Sequence, residues 1–137
     1  MSVRFAGYAA VFDAPDRGGD VVRRGAFRLS GTVPLLWQHR GEPVGAIEGL
    51  EEDSRGLRVI GRVEAPALAA LVAKGAVNGL SFGYRVRQAT RGRLREISEL
   101  QLLEVSLVAS PMQPLARVHA VACDLPKEIA TMRDERQ

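Results

Sequence analysis

Few residues of this chain are suited to chemistry, and their types limit what it could do. His39, His119 and Cys123 are its soft or borderline metal ligands, and no CxxC, HExxH or two-histidine, one-carboxylate spacing can be written with them. His119 and Cys123 are four residues apart and would share one face of a helix, yet two ligands do not make a structural zinc site. No metal and no cofactor are therefore expected. Nucleophilic catalysis is better supported. Gly79-Leu80-Ser81-Phe82-Gly83 satisfies the letters GxSxG, in which small flanking residues let a serine hydroxyl stand exposed. In α/β-hydrolases that pattern sits between a strand and a helix, with an acid and then a histidine downstream. Here Ser81 follows a helical segment and enters a strand, and that order would need His119, beyond Pro111 and Pro114.

His39 is the better partner. It ends the apolar run VPLLWQH, in which Val33, Leu35, Leu36 and Trp37 can fix the backbone while the imidazole is delivered to a strand end. A serine hydroxyl is a poor nucleophile until an imidazole accepts its proton, and the imidazole needs a third group to set its tautomer and orientation. Glu104 is the candidate, because it interrupts LQLLEVSLVA between Leu102, Leu103, Val105 and Leu107, where a charge needs a partner. The same pattern fits an outward-facing strand residue paired to an arginine, and the two readings stand side by side. Ser106 and Ser110 read as strand and turn residues.

The elements that must position these groups are mostly strands. Residues 3–12 (VRFAGYAAVF) suit a strand buried on much of both faces, with a bulge at Gly7. Residues 13–20 (DAPDRGGD) form a turn-rich loop, since Pro15, Gly18 and Gly19 break a ladder while Asp13 and Asp16 fold back on the backbone. Residues 44–51 and 57–64 make a hairpin about EDSRG. Pro66 at a first-turn position, the run LAALVA and Lys74-Gly75 at the end predict one helix. Strand texture returns in 80–86, 94–97 and 100–108, with a polar turn at 90–92, and Pro111 and Pro114 close the last run. Residues 126–137 are charged, with little to bury. Short strands interrupted by a helix suggest a β-rich barrel or folded sheet with helices at its edge.

Size and composition bound the answer further. With 137 residues, the chain suits one domain, too small for an α/β barrel. Cys123 has no intramolecular partner for a disulfide, and the opening MSVRFAGYAAVFDAPD lacks the pattern of a secretory signal. No window reaches the roughly 18 apolar residues of a membrane span. These features predict a soluble protein of a reducing cytoplasm, with Cys123 a small buried hydrophobe or an incidental thiol. The net charge is only +3. Arg85, Arg87, Arg91, Arg93 and Arg95 cluster on one predicted hairpin, either as its solvated face or as a contact for phosphates or acidic peptides. The latter gives an alternative function, a non-enzymatic basic β-barrel binding nucleic acid or an acidic partner. A single-strand binder would want aromatic platforms, and only Phe82 and Tyr84 lie near those arginines.

Taken in order, GYAAVFDAPDRGGDVVRRGAF, VPLLWQHRGEPVGAIEGLEEDSRGLRVIGRV, VNGLSFGYRV and LQLLEVSLVASPMQPLARV resemble the tailed-phage prohead serine proteases, the procapsid maturation proteases related to herpesvirus assemblin. The resemblance covers roughly residues 8–118 and includes the D-x-x-G-D element at 16–20. It implies a mainly β, α+β fold, an orthogonally packed antiparallel β-barrel with a few surrounding helices, over residues 1–123. It implies His39 as general base, Ser81 as nucleophile and Glu104 as third member, although the herpesvirus relatives use a second histidine at the comparable place. Backbone amides of Ala109, Ser110, Met112 and Gln113, in the turn just past Glu104, are the oxyanion donors expected from that arrangement. The implied substrate is a major capsid protein precursor or scaffold, inside the procapsid in the host cytoplasm. Nucleic acid and membrane are not required, a homodimer is allowed, and a gene-transfer-agent version is compatible. Residues 124–137 are expected to be a docking or self-cleaved tail.

Overall fold

The computed structural model describes residues 2–29 and 31–124; the charged tail of the sequence reading therefore lies outside the described residues, apart from Asp124. Nine strands and one helix are described, in the order β1 (Ser2–Val11), β2 (Asp20–Val22), β3 (Phe27–Arg28), β4 (Leu35–Trp37), β5 (Arg40–Glu52), β6 (Gly56–Val63), α1 (Pro66–Ala73), β7 (Gly79–Arg91), β8 (Arg95–Val108) and β9 (Val118–Asp124). No described helix is long and apolar enough to cross a membrane.

The hairpins form where turn chemistry allows. β5 and β6 pair antiparallel about the turn at 53–55, where Asp53 Oδ1 accepts from the Arg55 and Gly56 amides, an aspartate folding back on its own turn. The helix begins at Pro66, whose missing N–H is one that a first turn leaves unpaired anyway. It ends at Lys74, followed by Gly75 at φ +78°, a left-handed position that glycine takes without penalty. It buries Leu68, Ala69 and Val72 against the sheet. The bulge expected at Gly7 is present as a register shift between Ala6 and Gly7 in the β1–β9 ladder. A Cβ on Gly7 would lie 2.4 Å from the Arg117 carbonyl oxygen and 2.8 Å from Leu80 Cδ1, so glycine there lets β7 close on β1.

β8 is the organising strand. β7 runs antiparallel along one edge of it. Along the other edge β2, β3 and β4 dock one after another, all parallel to it, at residues 95–97, 100–101 and 105–107. From β4 the sheet continues through β5, β6, β1 and β9. Leu35, Leu57, Leu80, Ile97, Leu100 and Leu107 are fully buried at the centre of the core.

This corrects the expected antiparallel barrel in two respects. The sheet is mixed, because β2 to β4 are two or three residues long and are joined by loops rather than tight hairpins, so each can lie in the same direction as β8. It is also not closed by a ladder. β9 pairs with β1, and its approach to β7 is reduced to one isolated bridge, Gly79 to Arg117, after a segment interrupted by Pro111 and Pro114, which have no N–H to give. One helix, not several, accompanies the sheet among the described residues. Cys123 is exposed on β9, which removes the buried reading of that thiol.

Candidate active site

The site is built where β4, β7 and β8 meet. Parallel pairing sets Leu35, Leu36 and Trp37 beside Val105, Ser106 and Leu107, and Trp37 then pairs with Arg40 across a two-residue turn made of Gln38 and His39. Both turn residues have positive φ, +55° and +65°. Two left-handed residues in succession make the turn type that matches strand twist, at a steric cost for side chains other than glycine, asparagine and aspartate. The cost is offset by anchors onto β8 and the segment after it. The Gln38 amide donates to the Leu107 carbonyl over 3.0 Å, Gln38 Oε1 accepts from the Ala109 amide at 2.7 Å, and the His39 amide donates to Ser106 Oγ at 3.1 Å.

The imidazole of His39 is held from β8. Its Nδ1 lies 2.5 Å from Glu104 Oε1, a contact in which a carboxylate oxygen accepts and Nδ1–H donates. Glu104 Oε2 accepts from Ser106 Oγ at 2.6 Å. The Glu104 side chain is 12% exposed, against 44% for His39. Glu104 is therefore not the arginine-paired outward residue that its sequence pattern equally allowed. Gly83 makes room for it. Gly83 faces Glu104 across the β7–β8 ladder, and a Cβ there would lie 2.6 Å from Glu104 Oε1 and 2.9 Å from its Cγ.

Ser81 stands two residues earlier on β7, opposite Ser106, and alternation puts it on the same face as Gly83. It is buried to 9% relative exposure and lines, with His39, a cleft of about 200 Å³. All fully buried side-chain polar atoms among the described residues have a partner. The structure thus brings His39, Ser81 and Glu104 to one place. His119, by contrast, lies on β9 with its ring 5.9 Å from that of Tyr8.

The walls of the cleft come from the loop at 13–19 and the turn at 109–113, which are tied together. The Arg17 amide donates to the Met112 carbonyl and its guanidinium to Ser110 Oγ at 2.9 Å. Gln113, 8% exposed, accepts from the Val11 amide at 2.6 Å and donates to the carbonyls of Val11 and Ala14 at 2.8 and 2.7 Å. Among the four expected oxyanion donors, Ala109 has its N–H committed to Gln38 and drops out. Met112 and Gln113 line the cleft together with Ser81 and His39; Ser110 is not among the lining residues.

The two carboxylates of the cleft, Asp16 and Asp20, are both engaged within the protein. Asp16 Oδ1 accepts from the amides of Gly18 and Asp20 at 2.8 and 2.9 Å. Asp20 receives Arg95 in a bidentate pair at 2.8 and 2.7 Å and the Tyr84 hydroxyl at 2.9 Å. The Arg95 guanidinium holds the Asp20 carboxyl below its usual range, against burial, with Tyr84 assisting. Burial first, then the neighbouring Asp20, pushes the Tyr84 phenol up to about 12. Arg95 is thus bound to Asp20, a residue that lines the cleft, and is not part of a free basic face, whereas Arg85, Arg91 and Arg93 are exposed. The hydroxyl of Ser106 and the side chains of Gln38 and Gln113 carry no sequence signal of a role: a serine in a strand and two isolated glutamines look like many others.

Known proteins are similar to this chain in sequence and in fold. The prohead protease of Enterobacteria phage HK97 is 35% identical over 94 residues, 60% of this chain and 42% of that protein, so the match spans less than half the length of this relative. Among solved structures, the KSHV protease in complex with a hexapeptide phosphonate inhibitor has a TM-score of 0.58 at 15% identity, over 90% of this chain and 66% of that one. A second KSHV protease structure gives 0.52 at 16%, over 90% and 62%. At these identities the structural likeness shows the fold, a herpesvirus-protease-like arrangement of strands. A family model described as caudovirus prohead serine protease matches residues 1–131, and with so nearly complete a match the chain belongs to that family.

Proposed function

We propose that the chain is a serine endopeptidase of procapsid maturation, with Ser81 as nucleophile, His39 as general base and Glu104 as the group that orients His39. The observation that carries the reading is the His39 Nδ1 to Glu104 Oε1 contact of 2.5 Å, made by a histidine that shares its cleft with Ser81. With Nδ1 engaged, Nε2 is the nitrogen left to take a proton. Ser81 Oγ attacks the peptide carbonyl carbon as its proton passes to His39 Nε2, and the carbonyl electrons move onto oxygen. The carbonyl then re-forms, the C–N bond breaks, and Nε2 returns the proton to the leaving amine. A water molecule opens the resulting Ser81 ester by the same steps, giving its proton to Nε2 and restoring the serine. Glu104 stays ionised throughout and stabilises the imidazolium. Amides of the cleft rim at Met112 and Gln113 are the oxyanion donors in this scheme.

The substrates are peptide extensions of capsid protein or scaffold, cut inside the assembling shell, which fits the family and a chain that needs no cofactor for this chemistry. Co-expression with a capsid precursor tests the reading. The intact chain should shorten the precursor, while Ser81→Ala and His39→Ala should each abolish the cleavage. Unchanged cleavage by Ser81→Ala would contradict it.

A further inference from the structure

We propose that Ser106 is a positioning residue of this site, holding His39 and Glu104 in register, and not a plain strand residue. The proposal rests on the reading of His39 and Glu104 as base and orienter. Ser106 is fully buried, at 0% exposure, in a β8 stretch whose neighbours Val105 and Leu107 are buried and apolar. A core strand position of that kind normally carries an apolar side chain, since a buried hydroxyl is tolerated only when its bonds are made. Both bonds of this hydroxyl go into the site. It donates to Glu104 Oε2 at 2.6 Å and accepts from the His39 amide at 3.1 Å.

The result is a closed ring of contacts. His39 is gripped twice, through its backbone by Ser106 and through its imidazole by Glu104, and Ser106 joins the two grips. Two effects follow. Glu104 cannot rotate its carboxylate away from Nδ1 without also giving up the Ser106 hydroxyl. The left-handed backbone of His39, φ +65°, is tied to β8 at the residue that is also paired with Ser81 on one side and Leu36 on the other. Ser106 is thus the register point shared by the strand of the nucleophile and the strand that delivers the base. Ser106 is fully buried and does not line the cleft, so no substrate carbonyl reaches its hydroxyl and it is not itself a competing nucleophile.

The test uses the whole chain carrying Ser106→Ala, a smaller side chain that leaves the strand able to pair. With a peptide substrate, kcat should fall about 10- to 100-fold, the scale of losing hydrogen bonds to a charged group, while KM stays unchanged, because Ser106 lines no part of the substrate cleft. The wild-type protein should show a far-downfield exchangeable proton resonance from His39 Nδ1–H, and Ser106→Ala should move or broaden it. Wild-type kcat in a folded Ser106→Ala protein, or an unaltered resonance, would overturn the proposal. Parallel assay of Ser81→Ala separates the two levels. An inactive Ser81→Ala with a fully active Ser106→Ala sinks the positioning role alone, whereas an active Ser81→Ala sinks the catalytic reading and this proposal with it.

Discussion

His39 and Glu104 are 65 residues apart in sequence, and Nδ1 of the first lies 2.5 Å from Oε1 of the second. Two short-range devices make that contact: the parallel docking of a three-residue strand, β4, on β8, and a left-handed turn that lifts His39 from the end of β4.

Replacing Glu104 by glutamine tests what the carboxylate does beyond filling space. Glutamine keeps the shape but presents an amide that can face Nδ1 as a donor, favouring the wrong tautomer. Peptide hydrolysis should lose about 10²- to 10⁴-fold in kcat, the upper figure being that of the analogous aspartate-to-asparagine change in serine proteases. Circular dichroism should show the fold retained.

Gly83→Ala probes the same carboxylate from the opposite strand. The new methyl would lie 2.6 Å from Glu104 Oε1, so the glutamate must move off His39 or the β7–β8 ladder must shift. Urea unfolding should show a loss of about 1–3 kcal/mol, as for other overpacked sites, and activity should fall further than that stability loss alone would explain.

Gln113→Ala should be damaging although it keeps the backbone amide of the proposed oxyanion site and the Gln113 side chain bonds to none of His39, Ser81 and Glu104. It leaves the buried Val11 amide without its acceptor and two carbonyls without a donor. An unsatisfied buried group of this kind costs about 1–3 kcal/mol, readable as a lowered denaturation midpoint.

The Asp20 to Arg95 pair makes a statement about pH. Its side chains are 16% and 30% exposed. The Asp20 carboxyl is held below the ordinary value of 3.8, chiefly by Arg95, so the unfolded chain binds this proton more readily than the folded one. The stabilisation is therefore present above pH about 4 and is lost as pH falls through the lower, folded value. At pH 7, Asp20→Asn should be less stable by about 1–3 kcal/mol, and denaturant titrations at successively lower pH should show the gap to wild type closing.

Some of this architecture could be read from the residues alone. Pro66 and Gly75 mark the helix because proline fixes the backbone angle of a first turn and glycine alone takes the left-handed angle after the last one without penalty, and Gly7 marks a bulge because a strand loses packing there for a reason. Glu104 drew attention as a charge within an apolar run, but its two readings differed only in what it faced, which depends on β4. That strand is three residues long, as short as β2 and longer only than β3, and such lengths carry no periodicity. The parallel side of β8, and with it the surroundings of His39, was invisible for that reason, and an antiparallel barrel was expected in its place. Ser106 has no signature in the sequence, because its burial comes from both flanking strands at once. Arg95 reads in the sequence as one more arginine of an exposed hairpin, because its partner Asp20 is brought to it only by the short parallel strand β2.

The central claim is that Ser81 is the nucleophile, activated through His39. It is tested most directly by treating the folded chain with a serine-reactive fluorophosphonate and locating the adduct by peptide mass spectrometry. One phosphonylated residue, Ser81, is expected, with labelling lost in Ser81→Ala and strongly slowed in His39→Ala. An adduct on Ser106 or Ser110, or a protein that cleaves its precursor while Ser81 stays unmodified, would contradict it.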